Sequence, residues 1–380
     1  MRGAALEEVL PRVAEIVADV RERGDAALLD WSERLDGERP ELRVSPERLA
    51  SSRLDEDELT ALRGLAEAVE AFCAPQRPPN VALEAVPGVL AERRWLPLRS
   101  VGIYVPGGRA ILPSSLVMAA VPARLAGVER IVVVTPRPPE ATLATAQDLG
   151  IGEVYGVGGA QAVAALAYGT ETIAPVDKIV GPGSRWVTAA KLLVSSRVGI
   201  DLPAGPSEVV VIADATADSE RVVADLLAQA EHGPDSIAML LALDDALAAS
   251  VADATADVDT VEVRLVDDLD QAVALSEEFA PEHLELWVER PDELVPRIRN
   301  AGTVFVRTSA VVGDYAAGAT HILPTGGLAR GTGGIGLETF LKPVQVVCAG
   351  AAGLERAREI GIPLARLEGL HRHVAALELA

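Results

Sequence analysis

The sequence contains few lysines and few cysteines, and each shortage argues against a class of chemistry. Lysine occurs only at Lys178, Lys191 and Lys342, and none of these stands in a G-x-x-x-x-G-K-[ST] segment. The chain therefore lacks the lysine-bearing phosphate loop of nucleotide hydrolases. Asp and Glu, at 56, outnumber the 34 Lys and Arg, which gives a formal net charge of -22. This acidic excess argues against nucleic acid and membrane surfaces as partners.

The two cysteines, Cys73 and Cys348, cannot form a disulfide framework, and neither has a second cysteine or a histidine at metal-ligand spacing. Both are interpreted as core residues. The N-terminal apolar stretch contains acidic residues, unlike a secretion signal, and no segment approaches an uncharged span of membrane length. These absences predict a cytoplasmic protein.

Hydrophobic patterning predicts an α/β fold. Residues up to about Ala74 are helical in pattern, and a Pro-rich connector, APQRPPN, then leads into short strands. From Val101, β-branched runs alternate with helical segments, and a second set of this kind begins near Glu208 with EVVVIAD. HLELWV and TVFVR are expected to complete the second set. We predict two Rossmann-like α/β domains with parallel-type sheets, plus a small helical C-terminal appendage after Gly336.

Glycine-rich turns are the candidate phosphate and cofactor contacts. The literal G-x-G-x-x-G, at Gly331, Gly333 and Gly336, follows a turn and not a strand, so we interpret it as a flexible loop. GVGGAQ follows a strand and opens a helix, a context that favours a pyrophosphate or ribose contact, although a plain tight turn is equally compatible. Together, three turns at strand ends indicate a cofactor cleft: GVGGAQ (156–161), YVPGG (104–108) and VGPGS (180–184).

All five histidines lie in the second half of the chain, and polar residues accompany them. This is typical of a metal site with an acid/base group beside it. Gln229 and His232, at i,i+3 spacing, are expected on one face of the last turn of a helix. Asp314 and His321 flank a glycine-bearing loop that can fold both toward one point. Considered alone, a capping histidine explains the first pair and an ordinary turn explains the second.

Glu282 and His283 are adjacent candidates for proton transfer. Pro281 breaks the preceding helix, and the pair stands at the mouth of the strand LELWV, where catalytic groups of α/β proteins commonly lie. Neighbouring Glu and His supply two groups of different pKa, and a neutral histidine is an effective base near pH 7. A solvated start of a strand is the alternative interpretation.

Taken in order, these segments resemble the histidinol dehydrogenase family over nearly the whole chain. The blocks that carry the resemblance include VGIYVPGGRAILPSSLVMAAVPARLAGV, GGAQAVAALAYGTETI, GIDLPAGPSEVVVIAD, LLAQAEHGPDS, FAPEHLEL, GDYAAGATHILPTGG and EGLHRH. The resemblance implies oxidation of L-histidinol to L-histidine through bound L-histidinaldehyde, the last step of histidine biosynthesis. It also implies two hydride transfers to NAD, one Zn²⁺ per subunit with other divalent ions possible, and a homodimer whose sites are shared between subunits.

The resemblance implies a role for each of several residues. The implied zinc ligands are Gln229, His232, Asp314 and His373, with His373 contributed by the partner subunit. His283 is implied to take the alcohol proton, and Glu282 to activate the water that attacks the aldehyde. The implied substrate contacts are Ser207, His321 and Glu368, together with His283 and the zinc ligands. The NAD-contact positions are occupied by Tyr104, Gln161 and Ser184.

Ser184 and Thr320 depart from the family pattern, because asparagine is common at both positions. His371 adds a second histidine beside the implied ligand His373. If the segment is one helix, Glu368 and His371 share a face at i,i+3, whereas the family spacing favours His373.

The predicted division of the chain is a discontinuous domain of residues 1–103 with 208–335, an inserted domain of residues 104–207 carrying the NAD turns, and a C-terminal segment of residues 336–380. Two alternatives to the implied activity remain. One is a related zinc-dependent dehydrogenase acting on another polar alcohol. The other is a metal-dependent hydrolase or a non-catalytic metal- or ligand-binding protein.

Overall fold

The computed structural model describes residues 4–107, 111–203 and 205–379. The chain divides into two compact units. The larger unit comprises Met1–Gln76 and Leu98–Phe340, and the smaller unit comprises Arg77–Pro97 and Leu341–Ala380. Among the described residues, no helix is both long and apolar enough to cross a membrane.

The chain begins with helices, as the sequence predicts. Their bounds are α1 Ala4–Glu7, α2 Leu10–Arg23, α3 Asp25–Asp36, α4 Pro46–Ser51 and α5 Glu56–Cys73. Helix α2 buries Val13, Ile16, Val17 and Val20, whose spacing of three and four residues places them on one face. These side chains share a core with two helices that cover the first parallel sheet, Gly159–Tyr168 and Arg185–Val194. The strands β1 Val81–Val86 and β2 Val89–Pro97 follow and belong to the smaller unit.

The first parallel sheet has five strands in the order β5-β4-β3-β6-β7. Its elements are β3 Ser100–Tyr104, α6 Pro113–Ala126, β4 Arg130–Val134, α7 Glu140–Asp148, β5 Glu153–Tyr155, α8 Gly159–Tyr168, β6 Lys178–Val180, α9 Arg185–Val194 and β7 Gly199–Ile200. The strand order reverses at β3 and β6, and ligands of open α/β sheets bind beyond the carboxyl ends of strands at such a point. Tyr104 ends β3 and Gly181 follows β6, so two of the predicted cofactor turns lie there.

The second parallel sheet repeats this topology, in the order β10-β9-β8-β11-β12. Its elements are β8 Glu208–Ala213, α10 Ser219–Ala230, β9 Ile237–Ala242, α11 Asp245–Ala254, β10 Val261–Leu265, α12 Leu269–Phe279, β11 His283–Trp287, α13 Pro291–Leu294, β12 Thr303–Val306 and α14 Ala310–Tyr315. All six residues of β8 are buried, because apolar side chains pack on both faces of the sheet. The two predicted α/β halves are confirmed, including the strands β11 and β12.

The smaller unit contains a three-stranded antiparallel sheet in the order β1-β2-β13, in addition to helices. The strand β13 Leu341–Ala349 precedes α15 Ala351–Leu367 and α16 His371–Leu379. The C-terminal segment is thus not purely helical, because β13 pairs along its length with β2. Cys348 lies on β13 and is exposed, so its interpretation as a core residue is wrong, whereas Cys73 is buried as expected.

The predicted division of the chain differs from these groupings in two places. Residues 77–97 group with residues 341–380, because β2 pairs with β13, and not with residues 208–335. The N-terminal helices α2 and α3 pack on α8, which belongs to residues 104–207. Both differences arise from contacts between segments far apart in the sequence.

Candidate active site

A cavity of about 500 Å³ in the larger unit brings most of the predicted site residues together. Its walls come from segments that follow β3 and β6 of the first sheet. The other walls are segments that precede β8, β9 and β11 of the second sheet or that follow β12. The predicted residues that line it are Ser184, Ser207, His232, Glu282, His283, Asp314 and His321. An adjoining cavity of about 580 Å³ shares Ser184, His232, His283 and Asp314 with it and is also lined by Gln229.

The pair Glu282–His283 stands at the amino end of β11, as the proline break predicts, since α12 ends at Phe279 and Ala280 has a left-handed φ of 53°. The rule for open α/β sheets refers to carboxyl ends, so it explains the cofactor turns of the first sheet but not this pair. The second sheet contributes its amino edge to the site, because β8 and β11 both begin at the cavity.

The carboxyl group of Glu282 is buried and held by two donors. The Ser207 hydroxyl donates to Oε2 at 2.7 Å, and the backbone N–H of Glu208 donates to the same oxygen at 2.9 Å. Burial raises the pKa of Glu282 to about 8, although these two hydrogen bonds oppose the rise. A carboxyl with this pKa carries a proton over part of the neutral range and is a stronger base than an exposed glutamate once it is ionised.

The imidazole of His283 is buried beside this carboxyl group. Its Nδ1 lies 3.8 Å from Oε2 of Glu282. Among the described residues, this nitrogen has no hydrogen-bond partner. Burial, with a smaller contribution from nearby His321, lowers the pKa of His283 to about 3, so the ring is neutral at physiological pH. A neutral ring with an unengaged nitrogen can accept a proton from a bound alcohol.

His321 is oriented by two hydrogen bonds. Its Nδ1 lies 3.2 Å from the carbonyl oxygen of Asp314 and its Nε2 lies 3.1 Å from the Ser115 hydroxyl. Because a carbonyl only accepts, Nδ1 carries the proton and Nε2 accepts from the serine. Burial lowers the pKa of His321 to about 4, consistent with a neutral ring. The prediction that the loop brings Asp314 and His321 together is confirmed.

Gln229, His232 and Asp314 offer three metal donors around one cavity. Helix α10 ends at Ala230, so His232 lies in the following turn, where its N–H donates to the carbonyl of Gln229 at 3.3 Å. The expectation that both lie on the last helical turn is therefore wrong for His232. Burial raises the pKa of Asp314 to about 6, and the nearby His232 opposes the rise.

Gln229 is 6% exposed, and its buried Nε2 has no hydrogen-bond partner among the described residues. A buried amide without a partner costs free energy unless a ligand engages the group. In residues 4–107, 111–203 and 205–379, no cluster of three or more His, Cys, Asp or Glu could hold a metal ion. Gln229 with His232 and Asp314 is a different kind of donor set, because one of its three members is an amide, and the chemistry of these N and O donors fits a divalent ion.

The remaining predicted ligand and substrate residues, His373 and Glu368, lie in the smaller unit. Helix α15 ends at Leu367, Gly369 has a left-handed φ of 71°, and α16 starts at His371. Glu368 and His371 therefore do not share a helical face. The argument that favoured His371 on helix geometry is wrong, because it assumed a continuous helix.

One of the three predicted cofactor residues lines the cavities, and the other two are buried away from them. Ser184 lines both cavities at the start of α9, and its side chain makes no capping hydrogen bond. Tyr104 and Gln161 are 5% and 1% exposed and, within the described chain, do not line these cavities. The Tyr104 hydroxyl accepts the N–H of Gly159 at 3.1 Å, and Oε1 of Gln161 has no partner in the described part of the chain. Gly108 of the YVPGG turn is outside the described residues.

Sequence reasoning missed two carboxyl groups, those of Asp225 and Glu285. Both line the adjoining cavity together with the metal donors Gln229, His232 and Asp314. The Ser309 hydroxyl donates to Asp225 at 2.5 Å, and the N–H of Ala310 donates to Glu285 at 2.7 Å. Burial and the neighbouring Asp225 raise the pKa of Glu285. Two periodicities could have revealed the pair, since Glu285 is two residues after His283 on a strand and Asp225 is four residues before Gln229 on a helix.

Comparisons with known proteins show which family the chain belongs to. The family model of histidinol dehydrogenase matches residues 2–380. The histidinol dehydrogenase of Methanothermobacter thermautotrophicus is 44% identical over 393 residues, which cover 97% of this chain and 92% of that protein. The histidinol dehydrogenase of Methanosarcina barkeri is 40% identical over 401 residues, covering 99% and 93%.

A crystal structure of histidinol dehydrogenase from Elizabethkingia anophelis matches with a TM-score of 0.90 and 35% sequence identity. The match covers 98% of this chain and 92% of that chain. The likeness thus extends over both parallel sheets and the segments that line the cavity. On the strength of matches in sequence and in structure that run nearly end to end, the chain belongs to the histidinol dehydrogenase family.

Proposed function

We propose that the chain is an NAD-dependent oxidoreductase that converts L-histidinol to L-histidine through L-histidinaldehyde, which stays bound. The observation that carries this proposal is the buried pair of proton-transfer groups, Glu282 and His283, at the wall of a cavity that also contains candidate metal donors. Family membership supplies the substrate, and the site supplies a base for each of the two oxidations.

In the first oxidation, His283 acts as the base. Its neutral ring and unengaged Nδ1 suit it to take the hydroxyl proton of the alcohol as the adjacent carbon loses hydride. Because burial disfavours the protonated imidazolium, the ring must pass the proton on before the second step. Solvent water can receive it, so Glu282, whose Oε2 lies 3.8 Å from Nδ1, stays available as the base of the second step.

In the second oxidation, Glu282 acts as the base. Its ionised carboxylate removes a proton from the water that attacks the aldehyde carbon, and the hydrate then loses the second hydride. Ser207 and the N–H of Glu208 stabilise the ionised form and fix the direction of Oε2. His321 and Ser207 are proposed to contact the substrate from the same cavity wall, with Glu368 contributed by the smaller unit of the partner subunit.

The proposed metal ligands are Gln229, His232 and Asp314, with His373 contributed by the partner subunit of a homodimer. Bound Zn²⁺ would supply a fixed anchor for the amino and imidazole nitrogens of the substrate. The raised pKa of Asp314 is a feature that a nearby cation would relieve. Gln229 would bind that cation through its side-chain oxygen, because the amide nitrogen only donates hydrogen bonds.

The proposed NAD contacts are Ser184, Tyr104 and Gln161 at the carboxyl edge of the first sheet. NAD, when bound, supplies the hydride acceptor for each oxidation. Ser184 faces the cavity shared with Glu282 and His283, and its hydroxyl is not used as a helix cap. The buried side-chain oxygen of Gln161 has no hydrogen-bond partner within the described chain.

The test is NADH formation by metal-replete protein supplied with L-histidinol and NAD, with NADH and L-histidine both counted at completion. Two NADH per histidine are expected, because alcohol and aldehyde are each oxidised by two electrons. One NADH per substrate, with aldehyde released, would contradict the second step. No NADH from histidinol, with NAD and zinc both bound, would favour another polar alcohol as substrate, and a failure to bind NAD would favour a hydrolase or a binding protein.

A further inference from the structure

Lys191 and Asp201 form a buried ion pair that the proposed reaction does not use. Lys191 lies on α9 and is 1% exposed, and Asp201 follows β7 with its side chain 0% exposed. The ammonium group contacts Oδ1 of Asp201 directly. Removing two charges from water costs free energy, and well-packed apolar residues often replace a buried pair without loss of stability. Net stabilisation is therefore a weak explanation for this pair.

Both members of the pair bind Gly181, the residue that follows β6. The Lys191 ammonium donates to the carbonyl oxygen of Gly181 at 3.0 Å. The N–H of Gly181 donates to Oδ2 of Asp201 at 2.7 Å. The donor and acceptor of one glycine are thus both held by side chains that are themselves paired. Hydrogen bonds to charged groups are stronger than those between neutral groups, so this glycine is firmly fixed.

Gly181 has a backbone conformation and surroundings that admit no side chain. Its φ is 115°, which L residues rarely adopt, and a Cβ atom there would lie 2.2 Å from the carbonyl oxygen of Tyr104. The glycine is therefore packed against the end of β3, at the point where the strand order of the sheet reverses. Pro182, Gly183 and Ser184 follow directly and line the cavity.

We propose that Lys191 and Asp201 are positioning residues for the cofactor turn, acting through Gly181 to set where residues 182–184 meet NAD. This inference rests on the proposed function, because it takes the turn to be the NAD contact. Neither side chain is placed to touch the cofactor, since both are fully enclosed. The pair joins the ends of β6 and β7 to α9, so it also fixes the direction in which α9 leaves the turn.

The decisive variant is the double substitution Lys191→Met with Asp201→Leu, which removes both charges and keeps apolar volume in their place. Zinc content is expected to stay close to that of the unaltered chain. Thermal unfolding is expected at a somewhat lower temperature, because the N–H and the carbonyl oxygen of Gly181 lose these partners. NADH affinity, measured by fluorescence titration, should fall by about 10- to 100-fold, the loss that a misplacement of about 1 Å causes in a preorganised site. KM for NAD should rise more than kcat falls at saturating NAD.

Two further variants separate positioning from general stability. Lys178→Met is the matched control. Lys178 stands at the other end of β6 and donates to the carbonyl of Thr339, and it acts on Asp201 through its charge alone. Its NADH affinity should be unchanged. Lys191→Gln with Asp201→Asn keeps a donor and an acceptor beside Gly181 without charge, and it should recover most of the affinity.

The outcomes are distinct. NADH binding by the double variant equal to that of the unaltered chain overturns the positioning role. A loss of affinity that merely follows a loss of thermal stability, in Lys178→Met as much as in the double variant, overturns it as well. If the double variant does not fold, Lys191→Met with Asp201→Asn, which leaves no uncompensated buried charge, is compared with Lys178→Met on the same criteria. If the unaltered chain itself does not bind NADH, the proposed cofactor is contradicted, and the basis of this inference with it.

Discussion

The hydroxyl of Ser207 donates a hydrogen bond of 2.7 Å to Oε2 of Glu282. This bond favours the ionised carboxylate, whereas burial of the side chain favours the protonated acid. The pKa of Glu282 is therefore set by a balance between burial and the hydrogen bond from Ser207. Ser207 precedes β8, and Glu282 precedes the neighbouring strand β11. Small changes at Ser207 should alter the pH dependence of the reaction before they alter the fold.

We expect Ser207→Ala to raise the pKa of Glu282 further. Because Glu282 must be ionised to activate water, the rate of L-histidinaldehyde oxidation falls as pH falls through that pKa. The acidic limb of the pH–rate profile should therefore move upward by about one unit, since a hydrogen bond to a charged group contributes about 1.5 kcal/mol. The control is Ser236→Ala, which lines the same cavity and donates to the carbonyl of Gly233. Coincident profiles for Ser207→Ala and the unaltered chain would contradict the role of this bond.

Glu282→Gln and His283→Asn should affect different halves of the reaction. His283→Asn removes the base for the alcohol and should reduce the rate of histidinol oxidation by about 100-fold or more. It should reduce the rate of aldehyde oxidation by a smaller factor. Glu282→Gln should do the reverse. The measurement is the single-turnover rate with each of the two substrates separately. Equal losses on both substrates in both variants would show that the division of labour is wrong.

His373→Asn should lower metal affinity by about tenfold or more, because a lost ligand costs at least as much as a lost supporting contact. His371→Asn should leave it nearly unchanged. The helix-geometry argument for His371 does not hold in the structure, because the helix is interrupted between α15 and α16. Metal content after dialysis against a weak chelator distinguishes the two variants, and the opposite ranking would identify His371 as the ligand.

Gly181→Ala should destabilise the protein by about 2 kcal/mol or more, because alanine is strained at a φ of 115° and its Cβ would meet the Tyr104 carbonyl. Gly333→Ala is the control from the literal G-x-G-x-x-G segment. Nothing lies within 4 Å of a Cβ built there, so the change should stay within about 0.5 kcal/mol. Chemical denaturation of the metal-free protein measures both. Equal effects would show that the two glycine turns do not differ in packing.

The elements were predictable wherever a local period or break defines them. Residues close together in the sequence define the buried face of α2, the strand β8 and the break at Pro281 before β11. The literal glycine motif also behaves as expected, since it follows a short 3-10 turn over Leu328–Arg330 and not a strand.

Contacts between distant segments were not predictable in this way. The hydrogen bond between Ser115 and His321 joins residues 206 positions apart. The pairing of β2 with β13 moves residues 77–97 into the smaller unit. Local spacing also misled at helix ends, because i,i+3 arguments assume that a helix continues, whereas α10 ends before His232.

Glu282 and His283 are joined by a single peptide bond, so covalent geometry limits how far apart their two reactive groups can move. In the proposed reaction, the aldehyde therefore needs only to turn between two adjacent bases and not to travel between distant ones. Retention of the reactive intermediate would then depend on the contacts that hold it at this one place, the proposed metal site among them, and no transfer to a second binding position would be needed.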